Sequence, residues 1–255
     1  MSVILSIARP EHRDLLRSAL SGILLAALAA VVVGLLIGSA LGLSPFYLGK
    51  TLLLFVFGAA LLLVGLAQHH PFRTLGAANL TTLARGTLVA LLGGLVGDRS
   101  DGAAPAVATA VAITATLLDW LDGYLARRTK MSSDFGARFD METDAMMILV
   151  LSILAWQFGK AGAWVLLSGF LRYIFVAAGA LHAALRQPLP ESFRRKTIAV
   201  VQMIALIAAV APFVPRALSA PVAAIALGTL VWSFLLDVIW LLRRALQSAG
   251  APSHL

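Results

Sequence analysis

The chain has 255 residues, 60% of them hydrophobic, with a mean hydropathy of +0.92, which excludes an ordinary soluble domain. Twenty Lys and Arg against twelve Asp and Glu give a net charge of +8. With no basic patch interleaved with aromatics in a polar setting, that excess reads as loops facing anionic lipid and argues against a nucleic-acid partner. Cysteine is absent, so disulfides and thiolate metal sites are excluded.

Eight apolar stretches, near 18–42, 50–68, 79–97, 104–127, 138–157, 162–183, 197–214 and 219–242, reach the ~20 residues a helix needs to cross a bilayer. The expected fold class is therefore all-α integral membrane, with about eight spans. The first run is long and lacks a small-residue cleavage site, so it reads as a retained span. Breaks fall at Ser44-Pro45, His69 to Phe72, Gly97 to Pro105, Lys130 to Ser133, Gln187 to Glu191 and Pro212 to Pro215. With the N-terminus inside, 14 of the 20 Lys and Arg fall in cytoplasmic segments, among them Arg13, Arg73, Arg128, Arg194 and Arg243. The positive-inside rule then puts both termini in the cytoplasm.

The third stretch opens with Asn79-Leu-Thr-Thr82-Leu-Ala-Arg85, three polar positions on one helical face. Arg85 lies about two turns into the membrane and needs an anionic or acceptor partner.

The fourth and fifth stretches meet at the densest chemistry in the chain. Asp119-Trp-Leu-Asp122-Gly123-Tyr-Leu-Ala126-Arg127 is followed, after eight residues, by Gly136-Ala-Arg-Phe-Asp140-Met-Glu-Thr-Asp144. Asp119 and Asp122 are i,i+3 and Asp140 and Asp144 are i,i+4, so each pair shares a helix face. Two such faces meeting form an all-oxygen cage suited to Mg²⁺ or Mn²⁺. Glu142 points away from that side and is a partner for Arg138 or another nearby cation.

The spacing D-x2-D-G-x2-A-R-x8-G-x3-D-x3-D resembles the signature of the CDP-alcohol phosphotransferases, integral membrane enzymes of phospholipid synthesis. The Asn79, Thr82 and Arg85 positions match the family's opening Pro-Asn-x-x-Thr-x-x-Arg, with Ala78 in place of the proline. The resemblance covers roughly residues 74 to 245. It implies a six-helix transferase domain over 74–245, preceded by a two-helix extension over 1–73 and followed by a short tail over 246–255.

It further implies two metal ions held by Asp119, Asp122, Asp140 and Asp144, with Asp144 nearest the acceptor as general base. The donor would be a CDP-alcohol lipid, CDP-diacylglycerol first, and CMP would leave as an alcohol acceptor attacks. Glycerol 3-phosphate leads among acceptors because several cations line the expected acceptor side. Gly123, Ala126, Arg127 and Gly136 would lie against the nucleotide, and Asn79, Thr82 and Arg85 would line the site. Arg172, Arg195 and Lys196 would hold a phosphorylated acceptor or the diphosphate. Asp237 would pair with Arg243 or Arg244. Family members are often homodimers, and the expected location is a prokaryotic inner membrane with the site on the cytoplasmic side. The reverse donor logic, CDP-choline or CDP-ethanolamine with diacylglycerol, uses the same motif. A cation transporter and an inactive membrane scaffold are the competing classes.

Overall fold

The computed structural model describes residues 10–69, 72–98, 102–129, 133–187, 189–190 and 192–249. Its α-helices are α1 (Pro10–Leu41), α2 (Phe46–His69), α3 (Ala77–Gly94), α4 (Ala104–Thr129), α5 (Asp134–Gln157), α6 (Leu167–Leu181), α7 (Phe193–Val210) and α8 (Arg216–Ala249). Short 3₁₀ turns at Ala163–Leu166 and Ala183–Arg186 bracket α6. Among the described residues every regular element is helical, as the sequence predicts for an integral membrane protein. The helices coincide with the eight apolar stretches. Glycine ends two of them: Gly42 and Gly159 take positive φ, while Leu43 N–H and Lys160 N–H reach back to Gly38 O and Ala155 O.

Among the described residues, five segments are long and apolar enough to cross a membrane: most of α1, α2, α4 and α8, and α6 with its preceding turn. The other three helices, α3, α5 and α7, carry charged or amide side chains. α3 does so because protein rather than lipid surrounds it: it packs against α1, α2 and α4, and eleven of its residues are buried.

The chain divides into two compact units, 1–150 and 151–255. In the first, α1 contributes Leu15 and Ala19 to the core, α2 contributes Phe55, Ala59, Leu62 and Leu66, α3 contributes Leu83 and Ala90, and α5 contributes Phe135. The α2 set recurs at i, i+4, i+7 and i+11, one helical stripe. The opposite faces expose Leu24, Leu25, Leu28, Leu53, Phe57 and Leu61, as lipid-facing surfaces do. Lipid is as apolar as leucine, so helix association here depends on close fit more than on burial. Gly93 and Gly94 supply that fit. A Cβ on Gly94 would press into Thr51 and come 2.8 Å from the Tyr47 ring, and one on Gly93 would strike Leu54.

A polar clamp closes this unit at the end of α3 farther from Arg85. The Asp98 carboxylate, 3% exposed, accepts the Ser44 N–H at 3.1 Å, the Ser44 hydroxyl at 2.8 Å and the Lys50 ammonium at 3.3 Å. Lys50 also donates to Val96 O at 2.6 Å. The loop after α1 and the start of α2 are thereby tied to the α3–α4 connection. Burial pushes the Asp98 pKa up, but the Ser44 and Lys50 donors together outweigh it and hold the carboxyl below its usual value of 3.8.

In the second unit α7 packs along α8, and Phe175 of α6 meets Phe234 of α8 edge to face at 5.6 Å. Lys160 donates to Ala211 O at 2.9 Å and Val214 O at 2.6 Å, satisfying carbonyls just past the end of α7. Ser219 of α8 donates to Lys160 O at 2.8 Å. Arg186 reaches back to Gly179 O and Ala180 O and caps α6.

Two outcomes follow for the first unit. Asp98→Asn should cost about 2 kcal/mol, the scale of a lost charged hydrogen-bond set. Because the folded pKa lies below the unfolded one, this contribution is complete above about pH 5 and is lost as pH falls through the folded value. Melting temperatures of both proteins in detergent between pH 3 and 7 check this: the gap should close at the acid end, and a constant gap would contradict it. Gly94→Leu should destabilise by about 2 kcal/mol through overpacking. Gly58→Leu, whose Cβ would meet nothing within 4 Å, should melt like the parent.

Candidate active site

Three helices of the first unit converge on one point. Just past the middle of α4 stands Asp119; the second and third turns of α5 bring Asp140 and Asp144; the middle of α3 brings Arg85. One carboxylate oxygen from each aspartate lies within 4.8 Å of the others, and this is the one such cluster among the described residues. The donor set is oxygen only, with no histidine or cysteine, which fits a hard divalent ion and not a soft one. Three of the four aspartates expected from sequence to hold a metal are therefore together. The side chains of Asp122, Ala126 and Arg127 lie outside the described residues, so the fourth carboxylate and the expected phosphate fork have no geometry here.

Arg85, 1% exposed, carries the countercharge. One terminal nitrogen stands 2.8 Å from Asp119 Oδ1 and also pairs with Asp140, while the other pairs with Asp144. The anion that a buried arginine requires is thus supplied by the carboxylate cluster itself.

Two turns earlier on α3, Asn79 is buried and its amide donates to Leu75 O at 2.7 Å. Thr82, also buried, donates to Ala78 O at 3.1 Å. Gly136 faces Asn79: a Cβ there would come 2.8 Å from Asn79 Oδ1. The space left by its missing side chain is filled by α3, so the glycine lets α5 approach the helix that carries Arg85. Gly123 is half-buried on α4. A residue the sequence reading did not single out, Ser133, starts α5 by accepting the Gly136 N–H at 3.0 Å. Its position three residues before that glycine, at the head of an apolar helix, was the available signal.

The remaining sequence candidates belong to the second unit. Arg172 is half-buried on α6, and Lys196 is exposed on α7. Arg195 stands 3.4 Å from Asp237 Oδ1 and also donates to Pro190 O. Arg194 donates to Ser233 O at 2.7 Å and to Asp237 Oδ1 at 2.5 Å. This corrects the expected pairing of Asp237 with Arg243 or Arg244. Its partners come from α7 across the helix pair, while Arg244 lies over the Trp240 ring at 5.2 Å.

Comparison with known proteins adds to this geometry. The family model described as CDP-alcohol phosphatidyltransferase matches residues 75–239, more than half of the chain and inclusive of Arg85, Asp119, Asp140 and Asp144. A CDP-diacylglycerol–glycerol-3-phosphate 3-phosphatidyltransferase of Pectobacterium atrosepticum is 31% identical over 97 residues, 38% of this chain and 51% of the relative. The protein of the same name from Haemophilus influenzae is 31% identical over 96 residues, 38% and 50%. One from Arabidopsis thaliana, designated number 2, is 44% identical over 46 residues, 18% and 20%. The chain thus spans about half the length of the bacterial relatives it matches. No solved structure matches. By the extent of the family match, the chain belongs to the CDP-alcohol phosphatidyltransferase family.

Proposed function

We propose that the chain transfers a phosphatidyl group from CDP-diacylglycerol to glycerol 3-phosphate, releasing CMP, as a step of phospholipid biosynthesis. The observation that carries this reading is the convergence of Asp119, Asp140 and Asp144 within 4.8 Å, inside the family-matching segment. The relatives' names supply the choice of donor and acceptor.

Asp119, Asp140 and Asp144 would hold Mg²⁺ or Mn²⁺, with Asp122 as the fourth ligand expected from the motif. Two such ions, when bound, supply charge stabilisation to both the entering and the leaving oxygen of an in-line displacement. The acceptor hydroxyl oxygen bonds to the phosphorus bearing the diacylglycerol, the bond from that phosphorus to the CMP oxygen breaks, and the hydroxyl proton leaves toward Asp144. Asp144 serves this step by orienting the hydroxyl as well as by taking its proton. Arg127 holds a donor phosphate, and Gly123 and Ala126 give the nucleotide close access to α4. Gly136, Asn79 and Thr82 support the site through the α3–α5 contact. Charge and the family's sequence pattern support Arg172, Arg195 and Lys196 as binding groups for the acceptor phosphate. Residues 1–73 form an extension to a transferase domain over 74–245, in a prokaryotic inner membrane with the site facing the cytoplasm.

The test is CMP release by purified protein given CDP-diacylglycerol, glycerol 3-phosphate and Mg²⁺ or Mn²⁺. Release should require both the acceptor and the ion, stop on chelation, and fall about a hundredfold or more in Asp144→Asn, the lower range for loss of a positioned base. The variant and the parent should both melt cooperatively. Release that persists without acceptor, or at the parental rate in the variant, would refute the reading.

A further inference from the structure

The three carboxylates that a divalent ion would use are the same three that Arg85 holds. Its guanidinium is a flat fork with five donors, able to bridge several carboxylates at once. The side chain is 1% exposed, so water does not share its solvation. Three carboxylates within 4.8 Å of one another repel. The guanidinium on α3 offsets that repulsion.

We propose that Arg85 is the resident cation of the metal-free site: it neutralises Asp119, Asp140 and Asp144, competes with the divalent ion for them, and is released from them when the ion binds. This rests on the reading of the aspartates as a metal site. Competition follows from shared acceptor atoms. Asp144 Oδ1 and Asp140 Oδ1 each accept from the guanidinium, and an ion that takes these oxygens must loosen it. The freed N–H groups then face the same cage, where a phosphate oxygen is their complementary partner. Metal and anionic substrate thereby become coupled through one side chain, each favouring the arrangement that suits the other.

Competition makes a prediction opposite in sign to that of a supporting role. If Arg85 merely helped to assemble the metal site, its removal would weaken the ion. If it competes, its removal strengthens the ion while destabilising the protein that lacks one. The experiment is Mn²⁺ titration by calorimetry on the full chain in detergent, with melting curves in EDTA and in Mn²⁺. Arg85→Gln, Arg85→Lys and Asp144→Asn are compared with the parent. Arg85→Gln should bind Mn²⁺ about tenfold more tightly, a modest share of the charge interaction at this range. Its melting temperature in EDTA should fall, and the rise on adding Mn²⁺ should exceed the parent's. Arg85→Lys, a point charge without the fork, should lie between the two. If Arg85→Gln is recovered folded only in Mn²⁺, the proposal is supported in its strongest form. If it is not recovered at all, Arg85→Lys decides: tighter binding than the parent supports competition. Equal or weaker Mn²⁺ binding in the arginine variants, with the parent binding normally, overturns the proposal and leaves the metal site standing. Absence of binding in the parent, with Asp144→Asn no different, overturns the metal reading itself.

Discussion

A charged group held away from water inside a membrane protein must be neutralised on the spot, and the ion-pair set of Arg85 with Asp119, Asp140 and Asp144 meets that demand. The surrounding structure follows from it. The helix bearing Arg85 cannot face lipid, so α1, α2 and α4 pack around it and α5 lies against its Asn79 side. Helices that close need small residues at the contact, and Gly93, Gly94 and Gly136 occupy those points. The cluster is thus the reason for the first unit's arrangement.

Away from the cluster, polar groups act as fasteners at helix ends. Asp98 gathers Ser44 and Lys50, Lys160 gathers the carbonyls beyond α7, and Arg194 with Asp237 joins α7 to α8. Each of these joins chain segments far apart in sequence. Helix middles rely on steric fit, while the ends rely on directional bonds that stay specific where water competes.

The helices and the pairing of Asp140 with Asp144 were legible because each is encoded locally: apolar length for the first, i,i+4 spacing for the second. Arg85 was legible as a cation in need of a partner, but not which partner, since Asp140 and Asp144 stand 55 and 59 residues away. Gly136 illustrates the same limit. Its motif position pointed toward a nucleotide, yet the space beside it is taken by Asn79, a contact between helices that no single stretch encodes. Asp237 was assigned to Arg243 or Arg244 because proximity in sequence was the only guide, and cross-helix geometry gave it Arg194 and Arg195 instead. The Asp98 clamp left no trace, because a serine, a lysine and an aspartate in three loops or helix ends look like ordinary solvent-facing side chains.

The polarity of α3 also constrains how the chain is made. A segment with Asn79, Thr81, Thr82, Arg85 and Thr87 partitions poorly into lipid on its own. Synthesis proceeds from the N-terminus, so α1 and α2 are available before α3 emerges. They offer it a protein surface at Leu54, Tyr47 and Thr51. The aspartates arrive only afterwards, on α4 and α5. The α1–α2 pair is therefore in place to receive α3 before the aspartates that neutralise Arg85 have been made.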